Sequence, residues 1–139
     1  MKKSSIRRCA ALLITVALGS LLLATPASAA SGYNRCLEGW FCGFTDDNGS
    51  GKYASFQVRA GAPYLKGTDY NDRFNSVRNN TGDTWCLYNK SHYDLSDDDA
   101  FVVRVPRYTT ANLSELSELS DEQRVDDITN RVSSLRTCS

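Results

Sequence analysis

Between residues 40 and 105, short apolar and aromatic runs alternate with polar clusters, the rhythm of strands and turns. The runs are "WFCGF" from Trp40, "KYASFQV" from Lys52, "TWCLY" from Thr84 and "AFVVRV" from Ala100. Aromatic and β-branched residues fill them because such side chains suit a pleated, half-buried surface. Asn48-Gly49 and Thr81-Gly82-Asp83 are turn signals. Pro63 and Pro106 mark strand ends or edges, since proline cannot donate to a ladder. One region reads as helical, "NLSELSELSDEQRVDDI" from Asn112. There Asn112 with Glu115 and Ser120 with Gln123 fit capping boxes, and Leu113, Leu116 and Leu119 make a narrow apolar stripe. The pattern predicts a short helical connection lying over a sheet.

The polar-apolar pattern also repeats. "NDRFNSVRNN" from Asn71 and "TNRVSSLRTC" from Thr129 agree at Arg73/Arg131, Ser76/Ser134 and Arg78/Arg136, and in kind at Phe74/Val132 and Val77/Leu135, at a constant offset of 58 residues. Further back, Cys42-Gly43-Phe44 matches Cys86-Leu87-Tyr88, each followed by a polar hairpin. Each half therefore runs strand, acidic hairpin, strands, connection, and a closing Arg-x-x-Ser-apolar-Arg strand. Two copies of a unit too small to close a core alone are expected to pack face to face as a β-sandwich.

The first 29 residues stand apart from this rhythm. Lys2, Lys3, Arg7 and Arg8 precede the apolar run "AALLITVALGSLLLA", and Ala27-Ser28-Ala29 is an A-x-A cleavage site. This is the layout of a secretory signal peptide, and the run is shorter than the ~18 residues of a membrane span. Residues 30–139 are then one exported domain of 110 residues, with motif one at about 36–81 and motif two at about 84–139. Removing the leader leaves 12 basic against 16 acidic residues, a net charge of −4. An acidic surface argues against nucleic acid or anionic membrane as partner and suits a monomer. Four cysteines remain, Cys36, Cys42, Cys86 and Cys138, an even number that reads as two disulfides with three connectivities open. Cys36–Cys42 with Cys86–Cys138 is favoured; the chain-entropy model gives about 2 kcal/mol for the short loop and about 4 for the long one.

At these residues the chain resembles peptidase inhibitor family I36. The resemblance lies in Cys36-x5-Cys42 with Gly39 and an aromatic before the second cysteine, and in the repeated "ND-R-x-x-S" and "TNR-V-S-S" segments. It implies an all-β fold: two Greek-key motifs packed as a βγ-crystallin-like sandwich, here with a short helical insertion in the second motif. It also implies that Ser76 and Ser134 support folded hairpins by hydrogen bonding. The hairpin pattern is an aromatic, four residues, a second aromatic, one residue and a glycine. The first half has Phe44 and Gly51 but Gly49 in place of the second aromatic; the second has Tyr88 and Tyr93 but Leu95 in place of the glycine. Only glycine reaches positive φ without steric cost, so a looser or differently shaped second hairpin is expected.

The resemblance further implies an extracellular inhibitor, not an enzyme, whose partner is an extracellular protease and which requires no cofactor. Metalloproteases are the expected targets, blocked by occupation of the cleft. The nearest match to a protease-facing loop beside a cystine is Cys86-Leu87, although "TWCLY" also alternates like an ordinary strand. The rival function is a calcium-binding or structural βγ-crystallin-like protein of the envelope or spore. Its Ca²⁺ would be held at Asn71, Asp72 and Asn75 and at Thr129, Asn130 and Ser133, positions rich in the hard oxygens that Ca²⁺ prefers. Such residues also serve as turn chemistry. A killer-toxin-like role suits the net charge poorly. No nucleophile elbow or HExxH motif is present, and the single histidine, His92, reads as a surface residue. Trp40 and Trp85 read as core packed on cystines, and the Asn-x-Ser/Thr triplets as turns. Mature protein from the medium is expected to begin near Ala30 and to carry no free thiol. Intact mass with and without alkylation checks both, and thiol labelling at two or more sites would contradict the disulfides.

Overall fold

The computed structural model describes residues 31–116 and 128–139. The leader, residues 1–29, and most of the expected helical segment, residues 117–127, lie outside the described residues. Among the described residues seven strands follow in chain order: β1 Trp40–Phe44, β2 Tyr53–Gln57, β3 Ser76–Asn79, β4 Trp85–Tyr88, β5 Val102–Val105, β6 Thr110–Asn112 and β7 Ser134–Thr137. A helical segment, α1 Leu113–Leu116, follows β6, and the Asn112 Nδ2 donates to Glu115 Oε1 at 3.0 Å beside it.

The strands form two antiparallel sheets, ordered β2-β1-β3-β6 and β5-β4-β7. The order carries the main lesson of the fold. β6 comes from the second half of the chain yet pairs with β3 of the first, with Val77 opposite Ala111. The reverse exchange is a single bridge: Ala62, from the first half, exchanges both backbone hydrogen bonds with Leu135 of β7, at 2.7 and 3.0 Å. Val77 and Leu135 are 58 residues apart, the offset of the sequence repeat. Each half therefore lends its third extended segment to the other half's sheet. Pattern reading places no strand at Thr110–Asn112, because these three residues are short and half exposed and owe their pairing to a distant partner.

The core lies between the sheets. Phe41 and Val77 of the first sheet meet Trp85, Leu87, Val105 and Leu135 of the second, all fully buried. Leu113, Leu116 and Ile128 close the same cluster. Phe41 and Trp85 stack at 4.7 Å between centroids. Trp85 is core, as expected, but it packs on an aromatic ring and not on the expected cystine, because neighbouring strand residues face opposite sides and Cys86 points the other way. Trp40 does pack beside the Cys36–Cys42 cluster. Phe74 also fills the core, and its ring lies where a side chain at Gly43 would stand: a Cβ there would meet it at 2.6 Å. Glycine at position 43 is the condition for that ring.

A polar hub joins the halves at the buried end of β3. The Asn79 Nδ2 donates to the carbonyls of Asp83, Val105 and Pro106, and its Oδ1 accepts from the Thr81 amide and hydroxyl. The Trp85 indole donates to Thr81 Oγ1 at 3.1 Å. Buried polar groups persist when every donor and acceptor is met, and this network meets them.

Candidate functional site: latched hairpins, paired turns and a cystine ring

After β1 the chain folds into a 3-10 turn at Asp47–Gly49, and after β4 into a matching one at Ser91–Tyr93. Asn48 (φ 56°) and His92 (φ 60°) occupy the same left-handed position, followed by Gly49 (φ 72°) and Tyr93 (φ 60°). A buried serine holds each turn. The Gly49 amide donates to Ser76 Oγ at 2.9 Å, and the Ser76 hydroxyl donates to the Asp46 carbonyl at 2.6 Å. In the second half the Tyr93 amide donates to Ser134 Oγ at 3.1 Å, and the Ser134 hydroxyl donates to the Lys90 carbonyl at 2.6 Å.

Of the two outcomes expected from Leu95, looser or differently shaped, the second hairpin is not looser at its tip but does differ in shape. The positive-φ burden falls on His92 and Tyr93, and the serine latch offsets its cost. The two halves part only beyond the tip. Gly51 has φ 71° and leads within two residues to β2, whereas residues 94–101 form a longer connection. That connection is tied back to Asn89, which donates to the Asp99 carbonyl (2.8 Å) and accepts from the Phe101 amide (2.8 Å). Lys90 lies 2.8 Å from Asp99 and 3.3 Å from Asp97. The Lys90 ammonium draws the Asp99 carboxyl below its ordinary value, and its own pKa rises in return.

Gly49 in the aromatic position also has a physical reason. The segment Gly32–Arg35 packs on the first hairpin, and a side chain at residue 49 would collide with the Tyr33 amide. Tyr33 supplies the missing ring from outside the motif: it meets Phe44 at 5.6 Å, as Tyr93 meets Tyr88 at 5.4 Å. An arginine lies over aromatic rings in each half. Arg35 lies over Phe44 and Tyr53, at 5.3 and 4.9 Å, and Arg136 over Tyr88 and Tyr93, at 5.7 and 4.4 Å. Burial raises the phenol pKa of both Tyr33 and Tyr93.

The repeated segments face each other. The Asp72 amide donates to the Val132 carbonyl at 3.0 Å, and the Asn130 amide donates to the Phe74 carbonyl at 2.9 Å. Both partners shift by 58 residues, so the pairing is reciprocal. Asp72 (φ 54°) and Asn130 (φ 57°) sit in left-handed turns, which Asp and Asn tolerate best among non-glycine residues. The Asp72 carboxylate accepts from Asn71 Nδ2 (2.5 Å) and from the Ser133 hydroxyl (3.0 Å). The side-chain oxygens of Asn71 and Asn75 are buried with no hydrogen-bond partner among the described residues. Asn130 instead lines a shallow surface depression with Thr45, Asp46, Lys52, Asp69 and Arg73. These oxygens suit Ca²⁺ in kind, but Asp72 is the one carboxylate within the repeated segments. Among the described residues no group of three or more His, Cys, Asp or Glu side chains could hold a metal.

Cys86 and Leu87 are not brought into any loop. They lie in β4, the central strand of the second sheet, and Leu87 is 0 % exposed. β5 and β7 pair with both edges of that strand, so no protease could seat it without opening the sheet. This corrects the expected inhibitory position; the alternation of "TWCLY" is the signal that points to the strand. Cys86 instead bonds to Cys138 and ties the chain end to β4, while Cys36 bonds to Cys42. The latter closes a small exposed ring at the start of β1, which carries Leu37.

Two sheets that exchange strands, with serine-latched hairpins repeated by pseudo-symmetry, define a two-motif βγ-crystallin sandwich. A beta gamma crystallin from Ciona intestinalis superposes with a TM-score of 0.54 at 16 % identity, covering 72 % of this chain and 100 % of that one. A betagamma-crystallin from an archaeon gives 0.53 at 16 % identity, over 73 % and 100 %. At that identity the likeness is one of fold. The sequence matches the model of peptidase inhibitor family I36 over residues 29–98, and the chain belongs to that family. It is a peptidase inhibitor by family and not a catalyst. No curated protein matches the sequence.

Ser76→Ala and Ser134→Ala should each destabilise the protein by about 1–3 kcal/mol, since each strips a partner from a backbone amide and a carbonyl. Hydrogen exchange should quicken at Gly49 in the first variant and at Tyr93 in the second. Unchanged stability and exchange would show that the latches do not hold the hairpins.

Proposed function

We propose that this chain inhibits secreted peptidases, metalloproteases foremost, by seating a rigid projecting segment in the substrate cleft. Family membership supports inhibition in general. The observation that carries the mode of action is that the exposed turns are closed before any partner arrives. Serines latch the two hairpins, and a cystine closes the ring at residues 36–42. A segment already held in place loses little conformational entropy on binding, and this is what separates an inhibitor from a floppy substrate. Metalloproteases are favoured because thermolysin-like enzymes take a large apolar residue just after the scissile bond, and Leu37 is an exposed aliphatic side chain. The cystines suit an oxidising, extracellular setting.

A second reading, a structural βγ domain steadied by Ca²⁺, is favoured by the buried, partnerless oxygens of Asn71 and Asn75 beside Asp72. One experiment addresses both readings: mature protein is titrated into serine, cysteine and metalloproteases, and its melting is followed in chelator and in millimolar calcium. Stoichiometric inhibition of a metalloprotease is expected, and its absence across all three classes would refute the inhibitor reading. A resident Ca²⁺ would add about 2.7 kcal/mol at a hundredfold excess over its Kd. An unshifted melting temperature would leave the Asn71–Asn75 turn purely structural.

A further inference from the structure

Of the exposed segments, the ring closed by Cys36 and Cys42 has the most unusual combination of features. At its tip Leu37, Glu38 and Gly39 are all exposed, and Leu37 exposes 69 % of its surface, the most among the large apolar side chains described. A single exposed leucine is ordinary on a protein surface. Here, however, the backbone that carries it is fixed from several directions. The Trp40 amide donates to the Leu37 carbonyl at 3.3 Å, and Gly39 has φ 81°, the third-position geometry of a type II turn. The Gly39 amide donates to the Asn80 carbonyl at 2.8 Å, and the Asn80 amide donates to the Trp40 carbonyl at 3.0 Å. The Asn80 side chain donates to the Cys36 carbonyl at 3.2 Å. The disulfide, the turn and Asn80 together leave the ring one conformation.

The other exposed large apolar residues are placed differently. Tyr53 stacks on Phe44 and lies under Arg35, and Tyr64 packs against His92. Tyr108 carries a hydroxyl that suits water. Leu95 sits in the 94–101 connection, which no cystine closes. Among the described residues Leu37 alone combines an exposed aliphatic side chain with a backbone locked by a covalent ring.

We infer that this ring is the segment that enters the peptidase, with Leu37 filling an apolar specificity pocket. The inference rests on the inhibitor reading above and names the element that carries it. The Leu37 carbonyl is engaged inside the turn, so the enzyme meets a side chain it prefers on a backbone that is not in extended substrate form. Such a ring is held in the cleft without being cut.

The test compares wild type, Leu37→Asp, Leu37→Ser and Leu95→Asp for inhibition of a thermolysin-class metalloprotease, with thermal melting of each on the same sample. The expected result is a loss of about 100-fold or more in Ki for Leu37→Asp, because a carboxylate would be buried unpaired in an apolar pocket. Leu37→Ser should weaken inhibition in the same direction, Leu95→Asp should inhibit like wild type, and all should melt together. Should Leu37→Asp melt lower, Leu37→Ser, which brings no charge, decides in its place. A wild type that inhibits alongside fully active, folded Leu37 variants overturns the inference and leaves the inhibitor reading intact. A wild type that inhibits no peptidase overturns both.

Discussion

The reciprocal pairing of the two repeated segments is the constraint from which the rest of the structure follows. The Asp72 amide bonds to the Val132 carbonyl and the Asn130 amide to the Phe74 carbonyl, so each copy completes the other. Next to this pair the chain commits β3 and β7, whose serines latch the hairpins. The outer partners of those strands are then drawn from the opposite half, β6 onto β3 and Ala62 onto β7. Neither half keeps all of its own segments in one sheet. In its own sheet each half alone holds only three short strands, and exchange joins the two halves around one core.

This arrangement separates scaffold from surface. Leu87, Leu135, Phe41 and Val77 are spent on the interface between sheets and are inaccessible to a partner. What remains exposed is a set of turns whose backbone is set by groups beneath them: Ser76 and Ser134 under the hairpins, Asn80 and a cystine under the ring. An inhibitor needs that division. Its contact segment must be rigid without being part of the core.

Much of this was legible in the sequence because it rests on local chemistry. Aromatic runs marked β1, β2, β4 and β5, the 58-residue repeat marked β3 and β7, and the I36 resemblance implied the sandwich. What stayed hidden depends on partners far along the chain. β6 carries no strand signal of its own, and Ala62 is a single bridge. Asn79 looks like a surface residue until three carbonyls converge on it. Gly49 looked like a defect in the hairpin pattern, but Tyr33 fills its place from outside the motif. The family resemblance points to Leu87 against its own alternation, whereas Leu37, beside the other cystine, is marked by an exposure that only the folded chain reveals.

The central claim is that the halves form one cooperative unit through exchanged segments. Native-state hydrogen exchange under increasing denaturant tests it most directly, by following core amides such as Phe41 and Val77 in one sheet and Leu87 and Leu135 in the other. Strand exchange predicts that the slowest amides of both sheets merge into a single opening, with the same free energy and the same denaturant dependence. Two separate openings, with one sheet releasing its amides well before the other, would show that each half stands alone and contradict the account.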